Sequence, residues 1–323
     1  MDMITVATDL TVQRVAIDDW LDQLEPQEDE EADPIDPKND PFLEYELVIA
    51  SVLAERASDF IPEAEEIIEK AFYIPVTQKA AGDRTREYTA RIEEAIAAVE
   101  QAQRLWENKG LSISSENAIS YALGDALTAG TKSAYDMTGS LMQLSNQARA
   151  TMIDGMLAAS KYYSNAFFNA QVMPALVRAI QLGAGTTGDN LIWSTIKDVL
   201  NKRLKTVPYW RVVANAAASR AYHYGILKSG QAAGRRFFQY HAVLDAKTST
   251  VCWSLHGTQW PVADAISLIE RIASAQPEEV KTLAPWLKES DIEQLLQSPM
   301  GLRALNIVVP PVHGNCRSTI ILV

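Results

Sequence analysis

Cysteine and histidine are scarce in this chain, with two of the first and four of the second among 323 residues. Two thiols cannot build a disulfide framework, so the fold must be held by a buried core. Long apolar runs are missing as well. None approaches the roughly 18 residues needed to cross a bilayer, and Met1-Asp-Met-Ile-Thr lacks the basic start of a signal peptide. The expectation is a cytosolic product with no membrane partner. No internal repeat, Gly-rich nucleophile elbow or other recognisable nucleophile motif is present, which speaks against a covalent hydrolase. A basic stripe of the kind that binds nucleic acid is also lacking.

What charge there is sits unevenly. Residues 1–40 hold 13 of the 41 acidic residues and only two basic ones, Arg14 and Lys38. Their net charge of −11, against −12 for the whole chain, leaves −1 for residues 41–323. Within that region Glu25 to Pro41 is acidic, rich in proline and nearly free of large apolar groups. Such a stretch buries too little surface to offset its ordering entropy, so it reads as an extended arm. The segment before it, with Val12, Val15, Ile17, Trp20, Leu21 and Leu24, could dock on a partner or merely solvate the arm. Arg235-Arg236 and the Lys202–Lys205 turn are the notable basic clusters, and both read as surface charge, so any DNA contact is expected to be indirect.

From Phe42 the apolar pattern is helical. Leu43, Leu47, Ala50, Ala54, Ala57 and Ile61 form one stripe that should end at Pro62. A second helix is expected over 83–108, with Asp83 as N-cap and Gly110 as stop, and a stripe of Tyr88, Ile92, Ala95, Val99, Ala102 and Trp106. Further helices are expected at 114–136, 141–182 with a kink or break at Pro174, 189–205 and 209–228. The aromatic and Met residues Met152, Met156, Tyr162, Tyr163, Phe167, Phe168 and Met173 have the spacing of core packing. After residue 230 strand formers appear in Phe237–Leu244, Asn306–Val309 and Ser318–Val323, with short helices near 262–275, 277–287 and 290–297. The expected fold is therefore α+β and predominantly α. It divides into an acidic arm (1–41), a helical region (42–205) and a small C-terminal α+β module (206–323).

Both cysteines and two of the histidines fall into two short segments of that module, Asp245 to Gly257 and Pro310 to Arg317. Three chemistries suit such a pair. Cys252, His256, His313 and Cys316 could form a tetrahedral zinc site from two knuckle-like pairs, and zinc would then be the cofactor. Cys252 or Cys316 could be a nucleophile activated by a histidine that Asp245 orients. The third is purely structural and needs no cofactor: buried thiols, Asp245 as a cap, and His313 and Arg317 bonding the turn between the segments.

The order Asp245, Thr248, Cys252, Gly257, then Pro310, Pro311, His313, Cys316 and Arg317 near the C-terminus resembles the Mu protein F-like family of phage head morphogenesis (minor head) proteins. Arg211 to Gly225 resembles the helix that precedes this pattern in the family, and the likeness covers roughly 190–323. Ser249 and Ser318 stand where many members have cysteine, and Asn215-Ala216-Ala217 stands where an Arg-Thr-Glu triplet is usual. The resemblance implies a structural virion component rather than an enzyme, present in low copy at the portal vertex or inner capsid. Such a protein assists head assembly and DNA packaging or delivery. Its implied partners are the portal protein and capsid or scaffolding proteins, with several copies around the portal, and it would reside in host cytoplasm during assembly. The competing class is an enzyme at the Cys/His cluster, either a metal-dependent hydrolase or an ADP-ribosyltransferase-like, nucleotide-using protein.

Overall fold

The structure, a computed structural model, describes residues 40–72, 84–183, 189–204, 207–297 and 301–323. The docking segment, all of the acidic arm before Asp40, the Asp83 cap and Lys205 lie outside the described residues. Seven long helices come first: α1 (Leu43–Phe72), α2 (Arg84–Lys109), α3 (Ile113–Thr138), α4 (Asn146–Phe167), α5 (Met173–Gly183), α6 (Asp189–Leu204) and α7 (Val207–Ala232). A small α+β part follows, with β1 (Phe237–His241), α8 (Thr250–Leu255), β2 (Gln259–Pro261), α9 (Val262–Ser274), α10 (Val280–Leu283), α11 (Glu289–Gln297) and β3 (Thr319–Leu322). The fold is thus predominantly helical with one three-stranded antiparallel sheet, in the order β2-β1-β3. No helix among the described residues is long and apolar enough to cross a membrane.

The chain forms two compact units. One comprises Ser51–Ser112 and Tyr163–Tyr209; the other comprises the described residues up to Ala50, Ile113–Tyr162 and Trp210–Val323. The expected boundary at 205/206 falls beside the one at Tyr209/Trp210. The expected C-terminal module, however, acquires 113–162 and residues 40–50. A three-stranded sheet with short helices buries too little surface alone, and α3, most of α4 and α7 complete its core.

In the first unit, Leu53, Ala57, Phe60, Ile61, Ala64 and Ile68 form the buried stripe of α1. The helix therefore runs through Pro62, where the sequence predicted its end. Proline removes one backbone bond, but apolar packing on both sides outweighs that loss. Trp106 stacks on Phe168 at 5.5 Å, and Phe60 meets both rings edge-on. Arg56 lies 3.9 Å over the Trp106 ring and donates to the Trp106 carbonyl, Ser164 Oγ and Asn165 Oδ1. Burial draws its pKa down to about 10. The break expected at Pro174 is a π-turn, Phe168–Val172, in which the Met173 N–H reaches the Phe168 carbonyl. Widening the ladder just before Pro174 relieves the clash that its ring would make with the preceding turn.

In the second unit α7 is buried on nearly every side, with Asn215, Ser219, Arg220 and His223 enclosed among its apolar residues. From Tyr209 to Leu227 nearly every side chain is buried, as expected of a helix at the centre of a core. Its backbone meets that of α3 at two glycines. A Cβ at Gly130 would lie 1.9 Å from the Tyr222 carbonyl oxygen, and one at Gly225 would lie 2.3 Å from that of Leu127. β1 alternates as a half-buried strand should, with Phe238 and Tyr240 inward and Phe237 and His241 outward. Phe238 pairs with Trp260 of β2, and Tyr240 pairs with Ile320 of β3. The predicted strand Asn306–Val309 is irregular chain, while β2 and α8, which the sequence reading lacked, flank the turn at Gly257.

Alanine is the better helix former by up to about 1 kcal/mol. Gly130→Ala and Gly225→Ala are nevertheless expected to lower stability by roughly 1–3 kcal/mol each, because rigid backbone fills the space. Urea denaturation reads this directly, and a neutral or stabilised Gly130→Ala would show that the two helices do not approach so closely.

Candidate functional site

The turn after β1 organises itself around Asp245. Its carboxylate accepts the Lys247 N–H at 3.0 Å, and its own N–H donates to Thr248 Oγ1 at 2.9 Å. The Thr248 hydroxyl lies against both the Asp245 carboxylate and the Val243 carbonyl, sharing its proton between them. This reciprocal Asp–Thr turn hands the chain to Ser249, whose Oγ accepts the Cys252 N–H at 3.2 Å and caps α8. One turn of helix then carries Cys252 inward.

From the other end of the module, Pro310-Pro311 is joined by a cis peptide, and Pro310 to Val312 are buried. His313 and Cys316 follow. Cys252 Sγ lies 3.0 Å from His313 Nε2 and 3.8 Å from Cys316 Sγ. Tyr240, reaching from β1, places its hydroxyl 3.3 Å from one sulfur and 3.6 Å from the other. His313 Nδ1 stands 2.7 Å from the Gly314 carbonyl, which can only accept, so Nδ1 carries a proton and Nε2 faces the thiols. Ser249 Oγ is 2.8 Å from the same Nε2. Outside this knot Arg317 grips Asp245 through two parallel bonds of 2.7 Å, the fork geometry of a guanidinium on a carboxylate.

Electrostatics follows the geometry. The hydrogen bond from Cys316 pulls the Cys252 thiol pKa down, with His313 adding to it against the effect of burial. Burial pushes Cys316 well up. Of the two thiols, Cys252 is the one poised toward thiolate. Burial lowers the His313 pKa, but the contacts with Cys252 and the Gly314 carbonyl outweigh it and the net shift is upward. Bonding to Arg317 holds the Asp245 carboxyl far below the usual carboxylate range.

Of the residues singled out in the sequence, Asp245, Thr248, Cys252, His313, Cys316 and Arg317 therefore converge. Pro310 lies behind them, where its carbonyl faces the fully buried His223, whose pKa burial forces down to about 3. Gly257 closes the turn before β2 at φ +83°, a conformation suited to glycine. His256 does not join. Among the described residues, the group close enough to share one ion is Cys252, His313 and Cys316, with ligand atoms within 4.8 Å of one another. On a longer helix His256 would lie beneath Cys252. Here α8 ends at Leu255, and the His256 ring lies against β1 instead. Its Nδ1 accepts the Ala242 N–H, and the ring stands 5.2 Å from His241.

Four participants escaped the sequence reading. Tyr240 looked like an ordinary strand residue. Glu46, on the apolar face of α1 and 1% exposed, accepts from Arg211 at 2.7 and 2.8 Å and from Asn215 at 2.8 Å. Asn215 also donates to the Cys316 carbonyl at 3.3 Å, which ties α1 and α7 to the Cys/His segment. Asp40, buried beside Glu46, has its pKa raised to about 6, chiefly by burial and then by Glu46, with Arg211 and Arg317 pulling the other way. Only a buried acid on an apolar stripe could have signalled Glu46, and Leu47, assigned to that stripe, is instead half exposed.

The raised pKa of Asp40 has a definite sign. The folded chain holds this proton more tightly, so the contribution is complete below about pH 4 and is lost as pH rises through about 6. Asp40→Asn is expected to remove that decline, on the order of 2 kcal/mol between pH 4 and 7. Chemical denaturation across this range measures it, and identical profiles for both proteins would contradict the assignment. Comparison of the chain with protein-family models, with curated proteins and with solved structures returns no match.

Proposed function

We propose that the chain is a phage minor head protein, a low-copy structural component that joins the portal and inner capsid during head assembly. One observation carries this reading. The residues on which the resemblance rests, Asp245, Thr248, Cys252, His313, Cys316 and Arg317, are far apart in sequence yet meet in a single clamp. A resemblance made of unrelated matches would have no reason to converge.

Two features suit an assembly role. The clamp sits in a unit built around a helix buried on all sides, which gives a rigid body for positioning other subunits. The acidic segment before Asp40 carries most of the chain's net charge and is suited to a basic surface on a portal or capsid subunit. Partners are therefore portal protein first, with capsid or scaffolding subunits second, and several copies would gather round the portal.

Co-expression with the portal protein of the same phage, followed by mass determination, is expected to yield a defined complex. Removing residues 1–39 is expected to leave the melting transition of the body within a few degrees while reducing incorporation into heads. The cut stops there because Asp40 and Phe42 are buried. Failure of the full-length chain both to bind portal and to co-sediment with heads would overturn the reading. Normal incorporation of the shortened chain would remove the acidic segment from it.

A further inference from the structure

We propose that Cys252, His313 and Cys316 bind one zinc ion, with a water molecule as the fourth ligand. The proposal rests on geometry and is independent of any role in head assembly. Two thiolates bound to zinc at about 2.3 Å with tetrahedral angles stand about 3.8 Å apart. The Cys252 and Cys316 sulfurs are 3.8 Å apart. That is far beyond the roughly 2.05 Å of a disulfide, and both thiols are free. A thiolate and an imidazole nitrogen on one zinc are expected at about 3.5 Å. The distance from His313 Nε2 to Cys252 Sγ is 3.0 Å, and that to Cys316 Sγ falls within 4.8 Å, close enough for all three to share one ion.

The surroundings are those of a ligand set rather than of two buried thiols alone. The Gly314 carbonyl holds the proton on His313 Nδ1, which turns the Nε2 lone pair toward the sulfurs; metal-bound histidines are oriented in this way. The Tyr240 hydroxyl, within 3.3 and 3.6 Å of the sulfurs, can donate to a metal-bound thiolate. Beside the cluster is a cavity of about 20 Å³ whose lining includes Ser249, Cys252, His313, Asn315 and Ser318. That is room for a single water, and it gives the ion both an approach and a fourth ligand. Binding is written as Zn²⁺ plus two thiols and a neutral imidazole, giving the dithiolate complex and two released protons, so affinity rises with pH. The ion would clip α8 to the segment preceding β3.

The test uses the full-length chain, kept reduced with a non-chelating phosphine, stripped with a chelator and titrated with Co²⁺ and then Zn²⁺. About one cobalt per chain is expected, with thiolate-to-cobalt charge-transfer absorption and the intense visible bands of tetrahedral cobalt. Zinc should displace it and raise the melting temperature. Cys252→Ser and Cys316→Ser should each weaken the charge-transfer band and lower affinity at least tenfold, whereas His256→Ala should bind as the native chain does. Should a serine variant fail to fold, the native chain alone decides: no charge-transfer band at saturating cobalt overturns the proposal. It is equally overturned by a band unchanged in either serine variant. Loss of binding in His256→Ala would overturn the three-residue ligand set.

Discussion

A fully enclosed thiol has few possible partners, and Cys316 meets Cys252 from α8 and Tyr240 from β1 in one knot, which His313, three residues before it, joins through Cys252. Because Cys316, Cys252 and Tyr240 are buried and His313 is half-buried against them, each fixes the others. Tyr240 can point inward only if β1 keeps its register with β3, and Cys252 can reach it only if Ser249 caps α8. The Asp245–Thr248 turn sets that start, and Arg317 holds the turn from the opposite segment. The order of the C-terminal module is thus a consequence of satisfying one small buried polar cluster.

Two ion pairs surround the knot, and they act differently. Asp245–Arg317 is partly exposed, so its effect lies in the bidentate geometry that locks two loops rather than in raw Coulomb energy. Glu46–Arg211 is buried on the acid's side, and the Asn215 amide completes its shell. Breaking such a pair from one side strands a charge, at a cost of about 3–5 kcal/mol. Through Asn215, whose amide also reaches the Cys316 carbonyl, this second pair couples the first turns of α1 to the Cys/His segment. That coupling explains why residues 40–50 belong to the same compact unit as the C-terminal module.

Much of this was legible in the sequence. Helical periodicity placed α2, α3, α6 and α9 to within a few residues, because amphipathic stripes report burial directly. It also placed α7, expected over 209–228 and observed over Val207–Ala232, although that helix is buried on nearly every side. It did not reveal Glu46, which α1 hides among apolar neighbours, or the passage of α1 through Pro62. Asn306–Val309 has the residues of a strand but pairs with no strand among the described residues, since strand formation depends on a partner that local sequence does not reveal. The site was half visible. Cys252, His313, Cys316, Asp245 and Arg317 were marked by their rarity and clustering. His256 was included because spacing alone cannot show that a helix ends one residue too early. Tyr240, Glu46 and Asn215 stayed hidden because nothing in their local sequence distinguishes them from core or surface residues.

The claim that the two segments are one energetic unit is tested most directly by a double-mutant cycle on Asp245→Ala and Arg317→Ala, read by chemical denaturation at neutral pH. The account predicts non-additive losses with a coupling of about 1 kcal/mol or more, the double variant being little worse than either single one. Strict additivity would mean that Asp245 and Arg317 act separately, and the clamp on which the rest of the module is arranged would not exist.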